Sequence, residues 1–582
     1  MIMNIFNKLH QDLLSILTSL KVEKVLPDDL DLSRVVIETP KDPTHGDLAT
    51  NAAMVLAKAA GTNPRALAEH ICAKLKTVDH VTKVDVAGPG FINFFMSNEF
   101  WQSQLFNIIK AQDHYGSSDL GKGEALNVEY VSANPTGPLH TGHSRGAVFG
   151  DAIASLLAKI GYQVTREYYI NDAGGQTDIL ARSAYLRYLQ ACGQTVDESR
   201  FEGLYPGDYL VAIGQDLYAQ YQGQYVDQPE SAWLDLFKRF TIAKMMDMIK
   251  DDLLAVGVKM DVFTSERELV EAGGVVKAVE FLKEQGDIYT GVLEKPKGHD
   301  IEDWEPRPQL LFKATAYGDD VDRPLQKSDE SWTYFASDIA YHYDKCRRGF
   351  NKMVDIFGAD HAGYVKRIKA AAAAVTSGKG QVDVKTTQLV NFMENGQPVR
   401  MSKRAGTFIT MRDVIDRVGS DVTRFIMLTR HQDMTIDFDF AKVIEQSKDN
   451  PVFYVQYAHA RCHSVLRHGK EVFGGLSFVN TDMSPLTDDA ELAMIKVLTQ
   501  LPKQIEVAAM AREPHRVANY LYDVAATFHA LWNKGKDHVE LRFIDPANKE
   551  GTMARLALVQ SVANVIAEGL IVLGVTPVEE MR

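Results

Sequence analysis

Two histidines three residues apart, His140 and His143, stand in the run Ala133-Asn134-Pro135-Thr136-Gly137-Pro138-Leu139-His140-Thr141-Gly142-His143. The residues before it, Ala125–Val131, read as a strand, and those from about Gly142 to Ile160 read as a helix. The pair therefore falls at a helix start, where side chains three apart share a face. The first turn of a helix also offers backbone N–H donors and a dipole that favours anions. Gly142 carries no side chain, so an adenine ring could lie against the backbone there. The chemistry open to this arrangement is binding a nucleoside polyphosphate and stabilising charge that develops on it. A bare pair of this kind also fits polar residues merely satisfied at a helix start; the strand and the Pro/Gly-rich loop favour the nucleotide.

Further along, Arg400-Met401-Ser402-Lys403-Arg404 follows a segment patterned as a hairpin, with Asn395-Gly396 suited to a type I′ turn. Three cations on a short loop could neutralise a polyphosphate as charge moves onto a leaving pyrophosphate. The same residues would also suit a hairpin edge that deters aggregation. Glu129 ends the strand before the histidine loop. Tyr334 and Asp338, four apart, would share one helical face. Such acceptors suit a planar cation with several donors, although Asp338 taken alone also reads as a surface carboxylate. Tyr454 and Arg461, seven apart, lie two helical turns along one face and offer stacking and cation contacts to splayed bases, or simply helix packing.

These residues need elements to hold them. Residues 1–112 pattern as a small α+β unit, opened by an amphipathic helix with Phe6, Leu9, Leu13, Leu17 and Leu20. The Gly/Ser-containing stretch 116–123 reads as a linker. A β-α-β order follows, and then a second α/β half resumes at 331–340; residues of about 172–330 between them read as helical insertions within the sheet. From 441 to the end the pattern is helical and suggests an all-α bundle. The expected fold is thus multidomain α/β: a Rossmann-type parallel-sheet domain over 113–440, an α+β N-terminal domain and an all-α C-terminal bundle over 441–582. At 582 residues the chain is too long for one core.

Composition constrains rather than decides. The net charge of -14 opposes nucleic acid only as a sum, because phosphates respond to local surface. Basic runs such as Lys345-Cys346-Arg347-Arg348 read as solvated surface or as such a local patch. Cys72, Cys192, Cys346 and Cys462 lie far apart with no C-x-x-C, which argues against structural zinc or a disulfide framework and fits a reducing cytoplasm. The apolar stretch 556–575 is broken by Gln560, Asn564 and Glu568, so no membrane span is expected.

The histidine run resembles the H-I-G-H motif of class I aminoacyl-tRNA synthetases, in the form found in the arginyl family. The resemblance continues through Tyr169-Ile-Asn-Asp-Ala-Gly174, Phe357-Gly-Ala-Asp-His361-Ala-Gly-Tyr364, Asn450–Arg461 and Leu573–Met581. Arg400–Arg404 fills the place of the K-M-S-K-S loop, with the second lysine kept as Lys403, the first replaced by arginine and the final serine by Arg404. The resemblance implies an enzyme that activates L-arginine with ATP and Mg2+ and transfers it to tRNA(Arg). His140, His143 and Lys403 would be catalytic; residues 133–143 and Arg400–Lys403 would hold ATP. Glu129, Asn134, Tyr334, Asp338 and His361 would hold arginine. Phe91 and Asn93 would face tRNA from the N-terminal domain, and Tyr454, Arg461 and Met581 would lie near the anticodon loop. A monomer in the cytoplasm is implied. Another synthetase of the class, a plain nucleotidyltransferase, or a synthetase-derived RNA-binding protein are the alternatives. The missing metal spacing, the C-terminal motifs and the intact His140, His143 and Lys403 weigh against them.

Overall fold

The computed structural model describes residues 4–40, 42–293, 307–399 and 409–581. It opens with α1 (Ile5–Val22), whose first turn is capped by Asn4 accepting the Phe6 N–H, and whose apolar stripe is buried as its spacing predicts. Strands β1 (Ile37–Glu38) and β2 (Leu48–Thr50) and helices α2 (Ala52–Leu56) and α3 (Pro64–Leu75) follow, then β3 (Val81–Ala87) and β4 (Phe91–Met96). The sheet is antiparallel in the order β1-β2-β4-β3. Asn63 caps α3 with Pro64 at its first position, a pairing that fixes where the helix begins. Ser97 likewise caps α4 (Asn98–Ala111).

This N-terminal module packs against helices from the far end of the chain. Asn4 Nδ2 donates to Glu506 Oε2 at 2.8 Å, Gln102 Nε2 to the Leu486 carbonyl at 3.0 Å, and Lys496 Nζ lies 2.6 Å from Asp47. The stretch 116–123 is held in place despite its turn residues: the Gly121 N–H donates to the Ile160 carbonyl at 2.8 Å. A Cβ on Gly121 would stand 2.4 Å from the Tyr162 nitrogen, so glycine is what lets the two segments touch.

The centre is a five-stranded parallel sheet in the order β12-β11-β5-β6-β7. In chain order, β5 (Ala125–Glu129), α5 (Thr141–Lys159) and β6 (Gln163–Ile170) form the first β-α-β unit. Helices α6 (Gly175–Ala191), α7 (Tyr209–Tyr221) and α8 (Glu230–Ala255) supply the expected helical insertion. The middle region is not only helical, however. Strand β7 (Val262–Ser265) joins the central sheet beside β6, and after α9 (Glu266–Glu271) and α10 (Gly274–Glu284) come β8 (Ile288–Gly291), β9 (Gln309–Phe312) and β10 (Arg323–Pro324), a small antiparallel sheet. Strands of two to four residues hold too little alternation to be read from sequence.

The second half runs through α11 (Tyr334–Arg347), β11 (Lys352–Gly358), α12 (Val365–Val375) and β12 (Gln381–Thr387). Chain order reverses between β5 and β11, the strand-order switch where open α/β sheets bind ligands at the carboxyl ends of their strands. The expected hairpin is β13 (Val390–Glu394) with β14 (Gln397–Pro398); Asn395 and Gly396 have φ of +51° and +77°, the signs a type I′ turn requires. Helices α13 (Met411–Val418) and α14 (Ser420–Met427), strand β15 (Ile436–Asp439) and helix α15 (Phe440–Val443) lead to the C-terminal helices. These are α16 (Pro451–Phe473), α17 (Asp489–Leu498), α18 (Leu501–Ala511), α19 (His515–Asp537) and α20 (Lys549–Val572). The most apolar stretch of α20, with a mean hydropathy of 1.5, is 78% buried, so its apolarity serves the core. Its Glu568 meets Lys159 of α5 at 2.5 Å.

Candidate active site

His140 is the N-cap of α5 and His143 sits in its first turn. The Gly142 N–H donates to His140 Nδ1 at 3.0 Å, and the His140 N–H donates to His143 Nδ1 at 3.3 Å. The rings stack with centroids 3.9 Å apart. In a neutral imidazole whose Nδ1 accepts, the hydrogen sits on Nε2. Local backbone thus fixes both tautomers with Nε2 as the donor, the form suited to phosphate oxygen. The Met411 N–H donates to the Leu139 carbonyl at 2.8 Å, and the Thr141 N–H to the Ile409 carbonyl at 3.2 Å. The predicted loop residues Arg400, Met401, Ser402, Lys403 and Arg404 lie outside the described residues, but the chain that follows them is bonded to the histidine turn.

The loop between β5 and α5 begins under strain. Val131 and Ser132 have φ of +70° and +39°, in a region costly for residues with a Cβ, and most so for a β-branched one. Neighbours hold them there. Ser132 Oγ donates to Glu129 Oε1 at 3.0 Å and accepts the Tyr169 N–H at 3.1 Å, while Asn171 Nδ2 donates to the Ser132 carbonyl at 2.9 Å. Tyr168 Oη donates to the Ala133 carbonyl at 2.7 Å, and Tyr209 Oη to that of Thr136 at 2.8 Å. Asn134 Nδ2 reaches Gln176 Oε1 at 2.8 Å on an otherwise exposed side chain.

Beneath the loop lies a buried charge network that sequence reading missed. Lys345 was expected to lie on a basic surface, yet it is fully buried, 2.6 Å from Glu129 Oε2 and 3.1 Å from Asp355 Oδ1. A helix face turned inward explains the difference: α11 packs over the sheet, and the period of 3.6 residues carries Lys345 under while Arg347 stays out. Arg348 also pairs inward, with Glu167 at 2.8 Å. His342 Nε2 lies 2.9 Å from Asp355 Oδ2, and its Nδ1 lies 2.8 Å from the Asp338 carbonyl. Although burial opposes them, Asp355 and Glu129 hold the Lys345 ammonium well above its ordinary range. Likewise, despite its own burial, Asp355 is held well below the usual carboxylate range by Lys345 and His342. Burial pushes Glu129 up, against the pull of Lys345.

The remaining predicted site residues are spread around this network. Asp338 lies half-buried in the first turns of α11; Tyr364 Oη donates to it, and burial raises its pKa. Tyr334 shares its face but is 65% exposed, with its hydroxyl over Gly174. Gly174 has φ of +105°, and a Cβ there would stand 3.3 Å from Tyr334 Oη. His361 is exposed just past the carboxyl end of β11, 3.5 Å from Asp360.

Three family models match the chain: the arginyl tRNA synthetase N terminal domain over residues 7–96, the tRNA synthetases class I (R) catalytic domain over 104–461, and the DALR anticodon binding domain over 455–581. The arginine–tRNA ligase of Ruegeria pomeroyi is 54% identical, with all of both chains covered. That of Azorhizobium caulinodans is 58% identical over 95% of each. The chain belongs to the arginyl-tRNA synthetases. The solved arginyl-tRNA synthetase of Thermus thermophilus, at 20% identity, shares the fold with a TM-score of 0.73 over 98% of this chain and 100% of that one. As a class I synthetase, the enzyme takes arginine, ATP and tRNA as its substrates.

In this synthetase, α16 and α19 face each other across an aromatic shelf. Tyr454 packs its ring on His529 and Tyr522, with centroids 4.6 and 5.1 Å away. Arg461 donates to His529 Nδ1 at 3.0 Å and lies over the Trp532 and Tyr457 rings. Burial and the Arg461 charge push His529 down to about 4, so it is neutral at pH 7 and can accept. The tail that carries Met581 is pinned to α16 where His459 Nδ1 meets the Val578 carbonyl at 2.8 Å. In the N-terminal module Phe91 is half-buried, whereas Asn93, on a strand paired on both sides, is only 6% exposed.

Proposed function

We propose that arginyl transfer in this enzyme is carried out by His140, His143 and Lys403 acting on ATP, with residues 133–143 and Arg400–Lys403 around the nucleotide and Glu129, Asn134, Tyr334, Asp338 and His361 around arginine. The observation that carries this reading is continuity: a single strand-loop-helix unit bears Glu129 at its strand end and His140 at its helix start, with Ser132 in the loop between them donating to Glu129. The arginine carboxylate attacks the α-phosphate, the bond to pyrophosphate breaks, and arginyl-adenylate forms. The terminal 2′-hydroxyl of tRNA then takes the arginyl group and AMP leaves. The chain's work is positioning and stabilising charge, with no covalent enzyme intermediate. Mg2+ enters as part of the nucleotide substrate, ligated by phosphate oxygens.

The same proposal takes 1–112 as the tRNA-contacting additional domain, with Phe91 and Asn93 on it; the burial of Asn93 makes Phe91 the stronger contact. It takes 113–440 as catalytic and 441–582 as anticodon-binding, with Tyr454, Arg461 and Met581 at the anticodon loop. The enzyme works as a monomer in the cytoplasm. Charging total tRNA with each labelled amino acid in turn should give substantial product with arginine alone. A site built to hydrogen-bond a polar group can reject analogues lacking it by roughly 10⁴–10⁵. Comparable charging by lysine or cysteine would sink the reading.

Asp338→Asn should raise the KM for arginine while leaving that for ATP nearly unchanged. Loss of one partner from a buried charge pair costs about 2–5 kcal/mol. An arginine KM within twofold of the parent would make Asp338 a helix carboxylate with no part in binding.

A further inference from the structure

Two residues beyond His143, on the same helix, Arg145 is only 2% exposed. Among the described residues it makes no ion pair and gives its donors to backbone carbonyls instead. Nη1 donates to the Gln388 and Met434 carbonyls at 3.1 and 2.5 Å, and Nη2 to those of His431 and Arg430 at 2.9 and 3.5 Å. Burial lowers its pKa to about 10, with Asp433 pulling the other way, so the guanidinium is charged at neutral pH. A buried cation carries a desolvation cost that an apolar side chain of the same volume does not. What the guanidinium offers in return is a rigid fork that can bridge two segments at once.

The two segments are the roots of neighbouring strands. Gln388 directly follows β12 and stands two residues before β13; Met434 stands two before β15, which pairs with β13 in parallel. Arg430 and His431 belong to the turn that leads to Met434. From its root, β13 runs through the hairpin towards Arg400–Arg404. The chain returns at Ile409, whose carbonyl accepts the Thr141 N–H, and at Met411, which donates to the Leu139 carbonyl. Residues 388–411 thus leave from and return to one short stretch, 139–145, at the start of α5. Backbone bonds hold the return, and Arg145 holds the departure. The turn has other supports: the Gln388 N–H donates to the Gln432 carbonyl at 2.9 Å, and His431 lies 3.5 Å from Glu513 of the turn before α19. Loss of the guanidinium should therefore shift this root rather than release it.

We propose that Arg145 is a positioning residue for adenylate formation. Its guanidinium fixes the root of β13 against the histidine helix, and so sets where the chain towards Lys403 starts relative to His140 and His143. This rests on the reading that His140, His143 and Lys403 act together on ATP. A misplacement of about 1 Å, caused by a mutation away from the chemistry, can cost on the order of 10²-fold in rate.

Arg145→Lys keeps the charge and the burial, but it has one nitrogen where the four bonds diverge from two. In ATP–pyrophosphate exchange with deacylated tRNA present, its kcat per active site should fall about 10- to 100-fold, with the KM values for ATP and arginine within about threefold of the parent. The Kd for tRNA should be unchanged. Arg145→Met, which fills the space without a buried charge, takes its place should the lysine variant not fold, and should show the same split. A residue that merely supports the fold would lower Tm and the titrated fraction of active sites, leaving kcat per site as in the parent. That result would overturn the proposal. In a Lys403→Ala background, Arg145→Lys should slow exchange by no more than about twofold, since both changes act through one segment. Multiplied losses would show that Arg145 acts by another route. If Lys403→Ala slows exchange and Arg145→Lys does not, the positioning role alone falls. If Lys403→Ala has no effect, the reading of the signature loop has failed and this role falls with it.

Discussion

Lys345→Met is expected to weaken the catalytic sheet by about 3–5 kcal/mol, because it strands two carboxylates in the interior. Glu129 and Asp355 both face that ammonium, and only His342 would remain as a cation beside Asp355. The sign with pH follows from Asp355. Its depressed pKa contributes stability at pH values above the ordinary carboxylate range, lost as pH falls through its native value. The variant should therefore suffer most near neutrality and least in acid. Native-state hydrogen exchange of the β5 and β11 amides reads the change where it arises. Exchange free energies within 1 kcal/mol of the parent, about the size of an ordinary surface effect, would mean that the lysine is dispensable.

The second large effect belongs to the chemistry. His143→Ala and Lys403→Ala should each slow adenylate formation by about 10²–10³, the usual loss when one electrostatic donor to the transition state is removed. Because the His143 Nδ1 accepts the His140 backbone N–H and its ring stacks on that of His140, the first variant also removes both of these contacts, and part of its loss should appear as looser positioning of His140. Tyrosine and tryptophan fluorescence and tRNA binding should remain close to the parent. Parallel collapse of tRNA affinity would show that these groups shape the fold rather than the reaction.

Patterns with local causes were readable before any coordinates. The helix after the histidines, the Asn395-Gly396 turn and the buried stripe of α1 follow from spacing, capping and φ preference, all of which act within a few residues. The family motifs likewise marked the Tyr169–Gly174 and Phe357–Tyr364 segments as important without saying what each side chain does. What stayed hidden depends on partners distant in sequence. Lys345 looks like one member of a basic run until α11 is laid over β5, 216 positions earlier in the chain. Arg145 looks like any helix residue until α5 meets the turns before β13 and β15. Strand β7 escaped notice because four residues leave almost no periodic signal, and its place is set by β6 rather than by its own composition. The loop bearing Lys403 is read from motif alone, since it lies outside the described residues.

The docking of the first module onto the last has a consequence for how the protein is made. Asn4 and Glu506 are hydrogen-bonded though 502 positions apart, and Asp47 waits for Lys496 in the same way. At ordinary rates of translation, on the order of 5–20 residues per second, the N-terminal module emerges from the ribosome roughly 20–100 seconds before the helices that cover its flank. During that interval it must hold its own sheet while one side, meant for protein, faces water. Its short edge strand β1 and its capped helices suit a unit that waits, and chaperone contact during synthesis should concentrate on that uncovered side.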